Sequence, residues 1–224
     1  MRLPGRAGGN SVPRVQNIVP ALPAVEHLLA DRAVARRREA YAGEVRRLID
    51  AALSVMQATG DIDPAVRDIV AAAGLSNQAF YRHFASKDAL LLVVLADGQR
   101  RLVEYLRART ASTTDPREQI RRWIDGVLAQ ARDPRAAVAT RPFALNGARL
   151  ADRFPDDLAA ARAELLEALT PPVAALGGSA RDAEFVRDLA LERMNSAITQ
   201  RRAPDDREVD DLVAFCLAGV GHGT

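Results

Sequence analysis

Apolar residues recur at helical spacing through most of the chain, and short clusters of Pro, Gly, Ser and Thr cut that pattern into segments. Val45, Leu48, Ile49, Ala52 and Met56 share one face and Gly60 stops the run, so one or two helices are expected between residues 25 and 59. Asp63-Pro64 reads as an N-cap acceptor followed by proline at the first helical position. Val66, Ile69, Val70 and Ala73 then form a short amphipathic helix that ends at Gly74. Ser76 is a natural N-cap for a second short helix over 77–84. Ser86 caps a third, whose apolar positions from Leu90 to Leu106 carry it to about Arg109. Further helices are expected at about 116–132, 135–150, 156–176, 181–200 and 205–219, punctuated by Pro134, Pro155, Pro171-Pro172, Gly177-Gly178 and Pro204. No segment alternates as a strand does, and no internal repeat is evident.

Composition agrees with that pattern. Apolar residues make up 48% of the 224 and aromatic ones only 4%, so the core must be built from Ala, Leu, Val and Ile. Ala and Leu favour helix, while the residues that favour strands are sparse. An all-α fold is expected. Residues 1–23 hold four prolines and three glycines together with Arg2, Arg6 and Arg14, the composition of a mobile basic arm. Such an arm, with Arg36-Arg37-Arg38 behind it, could reach an adjacent minor groove of DNA.

Charge is uneven although the net is only +2. Twelve Arg/Lys face ten Asp/Glu in residues 1–98, eleven face five in 99–149, and eight face fourteen in 150–224. A basic front and an acidic rear would orient the chain toward a polyanion. Cys216, the sole cysteine, lies in an apolar run and reads as a small buried hydrophobe, so neither a disulfide nor a cysteine metal cluster is expected. His27 and His222 lack metal-ligand spacing. With no apolar stretch of membrane-spanning length and no signal-like N-terminus, a cytoplasmic location is expected, with no membrane partner, no metal and no cofactor.

The segment 63–95 carries the chemistry. Two short helices joined by a Gly-containing turn make a helix-turn-helix, whose second helix can enter a major groove. Gly74 tolerates positive φ, Leu75 can plug the angle between the helices, and Ser76 satisfies orphan amides. Phe80 and Phe84 are four apart and face the core, which leaves Asn77, Gln78, Tyr81, Arg82 and His83 toward the outside. Amides and Arg can address base edges; the Tyr hydroxyl, imidazole and Arg suit phosphates.

The run Gly74-Leu75-Ser76-Asn77-Gln78-Ala79-Phe80-Tyr81-Arg82-His83-Phe84-Ala85-Ser86-Lys87-Asp88-Ala89-Leu90-Leu91 strongly resembles the DNA-binding signature of the TetR family. In that signature a Tyr-x-His-Phe core is followed by Ser/Asn-Lys-Glu/Asp-x-Leu. The resemblance covers roughly residues 42–95. It implies that Tyr81 and His83 contact phosphates and that Lys87 reaches another from the start of the next helix. Lys87 is also the only lysine among 31 basic residues, and a compact ammonium suits a point contact to phosphate. The candidate DNA contacts are thus Ser76, Asn77, Gln78, Tyr81, Arg82, His83 and Lys87. One departure stands out: where the family often has Thr-Thr opening the first motif helix, this chain has Pro64-Ala65.

The resemblance further implies a transcriptional regulator, a repressor more readily than an activator, that acts as a homodimer on a near-palindromic operator in double-stranded DNA. A small apolar or amphipathic effector would release it. The expected organisation is an arm over 1–35, a helix-turn-helix domain over 36–95 and an effector-binding and dimerisation domain over 96–224. The family's effector pocket lies among the middle helices, which makes Trp123, Phe143 and Asn146 pocket candidates. The helix at 86–109 is the lever between the two ends, and the last two helices are the dimer face. A regulator controlled by a partner or by abundance, with a filled core, is the alternative. A helical enzyme lacks any nucleophile–base pair in this sequence.

Overall fold

The structure is a computed structural model that describes residues 22–221, and the arm residues 1–21 and His222 lie outside the described residues. Eleven helices and no strand occur among the described residues: α1 (Leu22–Thr59), α2 (Val66–Ala73), α3 (Asn77–His83), α4 (Lys87–Thr110), α5 (Pro116–Arg132), α6 (Pro134–Leu145), α7 (Gly147–Arg153), α8 (Pro155–Leu166), α9 (Thr170–Ala175), α10 (Ala180–Thr199) and α11 (Asp206–Gly219). The chain divides into two compact units, Met1–Gly43 and Glu44–Thr224. In the first unit residues 22–43 are helical, and every side chain from Val25 to Gly43 is exposed. No Gly or Pro interrupts residues 24–42, and Ala, Leu and Arg favour helix, so α1 runs without a break through position 35, where the arm was expected to end.

The second unit holds two hydrophobic cores. The front core gathers Leu48, Met56, Ile62, Ile69, Phe80, Phe84, Leu90 and Val94 from α1 to α4. The rear core is centred on α5, where Ile120, Trp123, Ile124 and Val127 are fully buried against α4, α9, α10 and α11. Helix α4 belongs to both: Leu90, Leu91 and Val94 enter the front core, Val103 and Leu106 the rear. At the rear crossing Gly126 lets α5 approach α4, because a Cβ there would stand 2.7 Å from Leu106 Cδ2.

Caps set the helix boundaries much as the sequence suggests. Ser76 Oγ accepts from Ala79 N at 3.1 Å and Ser86 Oγ from Ala89 N at 3.2 Å. Asp115 and Asp133 cap α5 and α6, while Ser179 and Asp205 form capping boxes with Asp182 and Glu208.

Three expectations require correction. Asp63 does not cap α2; Ala65 holds that position and Asp63 is engaged in ion pairs. The helix expected over 135–150 is two helices, because Asn146 leaves helical geometry (φ −114°, ψ 21°) and its side chain binds backbone carbonyls. The helix expected over 156–176 is also two. Pro171 and Pro172 have no N–H to give to the preceding turn, so α8 ends at Leu166 and α9 restarts with Thr170 before the prolines.

Candidate nucleic-acid interface and adjoining cavity

Helix α2 closes at Gly74, whose φ of +63° only glycine adopts readily. Gly74 N donates to Ala71 O and Leu75 N to Val70 O at 2.9 Å, so the turn satisfies the last carbonyls of α2. The chain then enters α3 through the Ser76 cap. From α3, Ala79 and Phe80 go into the front core, and Phe80 packs on Phe84 with ring centroids 5.8 Å apart. Asn77, Gln78 and Arg82 are exposed, and Tyr81 is 60% exposed. Those four form the outward face of a helix fixed at both ends.

His83, expected toward the outside, is not on that face. Three residues after Phe80, it lies on the inner flank of α3 with its side chain fully buried. His83 Nε2 is 2.6 Å from Glu44 Oε2 of α1, and Arg82 pairs with the same carboxylate. Hydrogen bonding to His83 first, then Arg82, holds the Glu44 carboxyl below the usual carboxylate range. The pair therefore pins α3 to α1. Its contribution is present above the ordinary carboxylate pKa and is lost as pH falls through the lowered one.

Lys87, at the first position of α4, has its Nζ 2.8 Å from Asp63 Oδ1 and a side chain 38% exposed. Its hydrogen bond lowers the Asp63 pKa. Asp63 also faces Arg149 at 3.4 Å, and Arg149 reaches Asp61 at 3.3 Å. Arg153 Nε donates to Asp88 Oδ2 at 3.1 Å. Helix α7 is therefore bound to the helix-turn-helix through two arginines, and Leu150 with Phe154 enters the front core beside it. Sequence reasoning missed this docking.

Between the cores lies a cavity of about 600 Å³, lined from α1 by Ile49 and Leu53, from α4 by Val94, Leu95 and Leu102, and from α6 to α10 by Phe143, Leu158 and Met194. Gln130, Thr140 and Asn195 add polar groups. Of the three pocket candidates only Phe143 lines it. Trp123 is sealed in the rear core, because α5 presents it on the same face as Ile120 and Val127. Asn146 turns away, donating from Nδ2 to Gly60 O at 3.2 Å and Pro142 O at 2.8 Å. It clamps the end of α6 to the end of α1.

Cys216 is buried, which pushes its thiol up to about 11. Among the described residues no three His, Cys, Asp or Glu side chains form a metal-binding group, and no helix is long and apolar enough to cross a membrane.

Residues 48–94, which hold most of the front core together with α2 and α3, match the family model described as bacterial regulatory proteins, tetR family. The likeness to this family is shown over that segment, about a fifth of the chain. The HTH-type transcriptional regulator BetI of Brucella anthropi is 36% identical over 75 residues, which are 34% of this chain and 39% of that protein. The match thus spans about two fifths of that curated relative. The fatty acid degradation regulator FadR from Bacillus halodurans has a similar structure, with 20% identity and a TM-score of 0.61 over 80% of this chain and 97% of that one. A regulatory protein in the tetR family from Rhodococcus RHA1 gives 17% identity and a TM-score of 0.60 over the same shares. At such identities the likeness concerns the fold, which is the all-α TetR arrangement.

Proposed function

We propose that the chain is a homodimeric, sequence-specific DNA-binding regulator, a repressor that a small apolar or amphipathic effector releases from its operator. The observation that carries the reading is α3: its inner residues are locked by Phe80, the Ser76 cap and the Glu44–His83 bond, while Asn77, Gln78, Tyr81 and Arg82 stand exposed. Base-edge readers are Asn77 and Gln78, which have donors and acceptors to offer. Tyr81 serves a phosphate, as does the Ser76 hydroxyl, which can still donate while its lone pair caps α3. Lys87 reaches a phosphate once that anion displaces Asp63 from its ammonium. Arg82, tied to Glu44, adds positive potential near the backbone.

The cavity favours effector control over control by a partner or by abundance, since a partner-controlled regulator needs no void of about 600 Å³. Its walls include α1, α4 and α7, each of which also contributes residues to the front core. An effector that prefers a conformer with these elements displaced would lower DNA affinity by the same coupling free energy.

Affinity measured against an operator panel at fixed salt tests the docking. Tyr81→Ala and Lys87→Ala should weaken specific and random DNA alike, whereas Asn77→Ala or Gln78→Ala should cost about 1–3 kcal/mol at particular bases and relax the preference there. Unchanged affinity in both phosphate variants would overturn this interface.

A further inference from the structure

A second cavity of about 610 Å³ opens on the opposite face of α6 from the first, between the end of α1, the length of α6 and the end of α10. Four arginines line it, Arg132, Arg141, Arg201 and Arg202, and no lining residue is acidic. Two of the four are neutralised from outside: Arg132 pairs with Asp125 and Asp206, and Arg202 with Glu208. The other two have no carboxylate partner among the described residues. Arg141 Nη1 donates to the carbonyls of Ile198 and Thr199 at 2.8 and 3.3 Å, and Arg201 is exposed, with no ion pair among the described residues. Arg201 is also the single non-glycine residue at positive φ among the described residues, at +55°. It closes α10 in the left-handed conformation, where glycine is the ordinary choice, with Arg202 N bonded to Ala197 O at 2.9 Å. The fold thus carries a guanidinium at a position where backbone preference argues against one.

We infer that this cavity is a binding site for an organic anion with a carboxylate or phosphate head and an apolar body. Arg141 and Arg201 would hold the head, since a guanidinium pairs with such groups through charge-assisted hydrogen bonds. Val138, Pro142 and Leu145 supply an apolar wall for the body. The ligand would join Gln57–Gly60 at the end of α1 to α6 and α10, beside the Asn146–Gly60 clamp. Helix α6 forms a wall of both cavities. The inference does not depend on DNA binding.

Calorimetric titration of the full-length chain with 4-phenylbutyrate, and with the uncharged 4-phenylbutanol as its match, tests it. The acid should bind more tightly than the alcohol by about tenfold, the scale of one charge-assisted hydrogen bond. Arg201→Gly should remove most of that advantage while leaving thermal stability equal or higher, because glycine suits positive φ. Arg141→Gln should reduce the advantage as well. Absence of saturable binding, equal binding of acid and alcohol, or acid binding unchanged in both arginine variants would overturn the site.

Discussion

Replacing Phe185 and Phe215 with glutamate is expected to turn a dimer into a monomer and to lower affinity for a two-half-site DNA by roughly a hundredfold or more, because avidity from two linked half-sites is of that order. Phe185 on α10 is 60% exposed and Phe215 on α11 is 71% exposed, the two most exposed aromatic rings beside Tyr81. Half-buried Leu189, Leu212 and Leu217 flank them, while Val186, Ala190, Val213 and Cys216 on the inner sides of the same helices enter the rear core. A helix pair that fills its own core and still presents this apolar face fits a self-complementary two-fold interface. The Arg181 guanidinium lies 5.7 Å from the Phe185 ring centroid and forms a polar edge to the patch. Since both rings are exposed in the single chain, glutamate there should leave the monomer folded. Analytical ultracentrifugation at micromolar concentration should show a wild-type dimer and a monomeric double variant. A dimer that survives both substitutions, or a monomeric wild type, would remove this interface.

Phe80→Ala should have the largest effect on stability within the helix-turn-helix, about 3–5 kcal/mol for a fully buried phenyl ring. Phe80 is 0% exposed and touches both Tyr81, edge to face at 5.2 Å, and Phe84. Its loss leaves α3, a helix of seven residues, without the anchor that orders it, since so short a helix is not stable alone. Thermal unfolding followed by circular dichroism should fall by roughly 6–20 °C on the usual scaling for chains of this size. Tyr81→Ala, one residue along and exposed, should change stability by less than about 1 kcal/mol yet weaken DNA binding. Equal stability losses in the two variants would contradict the assignment of inner and outer faces.

The contrast between these neighbours shows what the sequence made legible. Phe80 and Phe84 read as inward from their spacing of four, and Gly74, Ser76 and Ser86 read as turn and cap residues from local chemistry alone. His83 could have been placed by the same geometry, being three residues from Phe80, but its imidazole drew attention to phosphate instead. Asp63 was different. Its role as partner to Lys87 and Arg149 depends on residues 24 and 86 positions away, which no local pattern encodes. The docking of Leu150 and Phe154 into the front core, and the turn of Asn146 toward Gly60, are hidden for the same reason. Trp123 lay on the α5 face with Ile120 and Val127, a spacing that already favoured core over cavity.

Selection of bound duplexes from a randomised DNA pool, followed by sedimentation of the selected complex, tests the central claim most directly. The account predicts a near-palindromic site whose half-site centres lie one helical turn apart, about 34–36 Å, with two copies of the chain on each duplex and affinity that falls as salt rises. A pool that yields no enriched sequence at low salt, or one bound by a single copy on a single half-site, would contradict it.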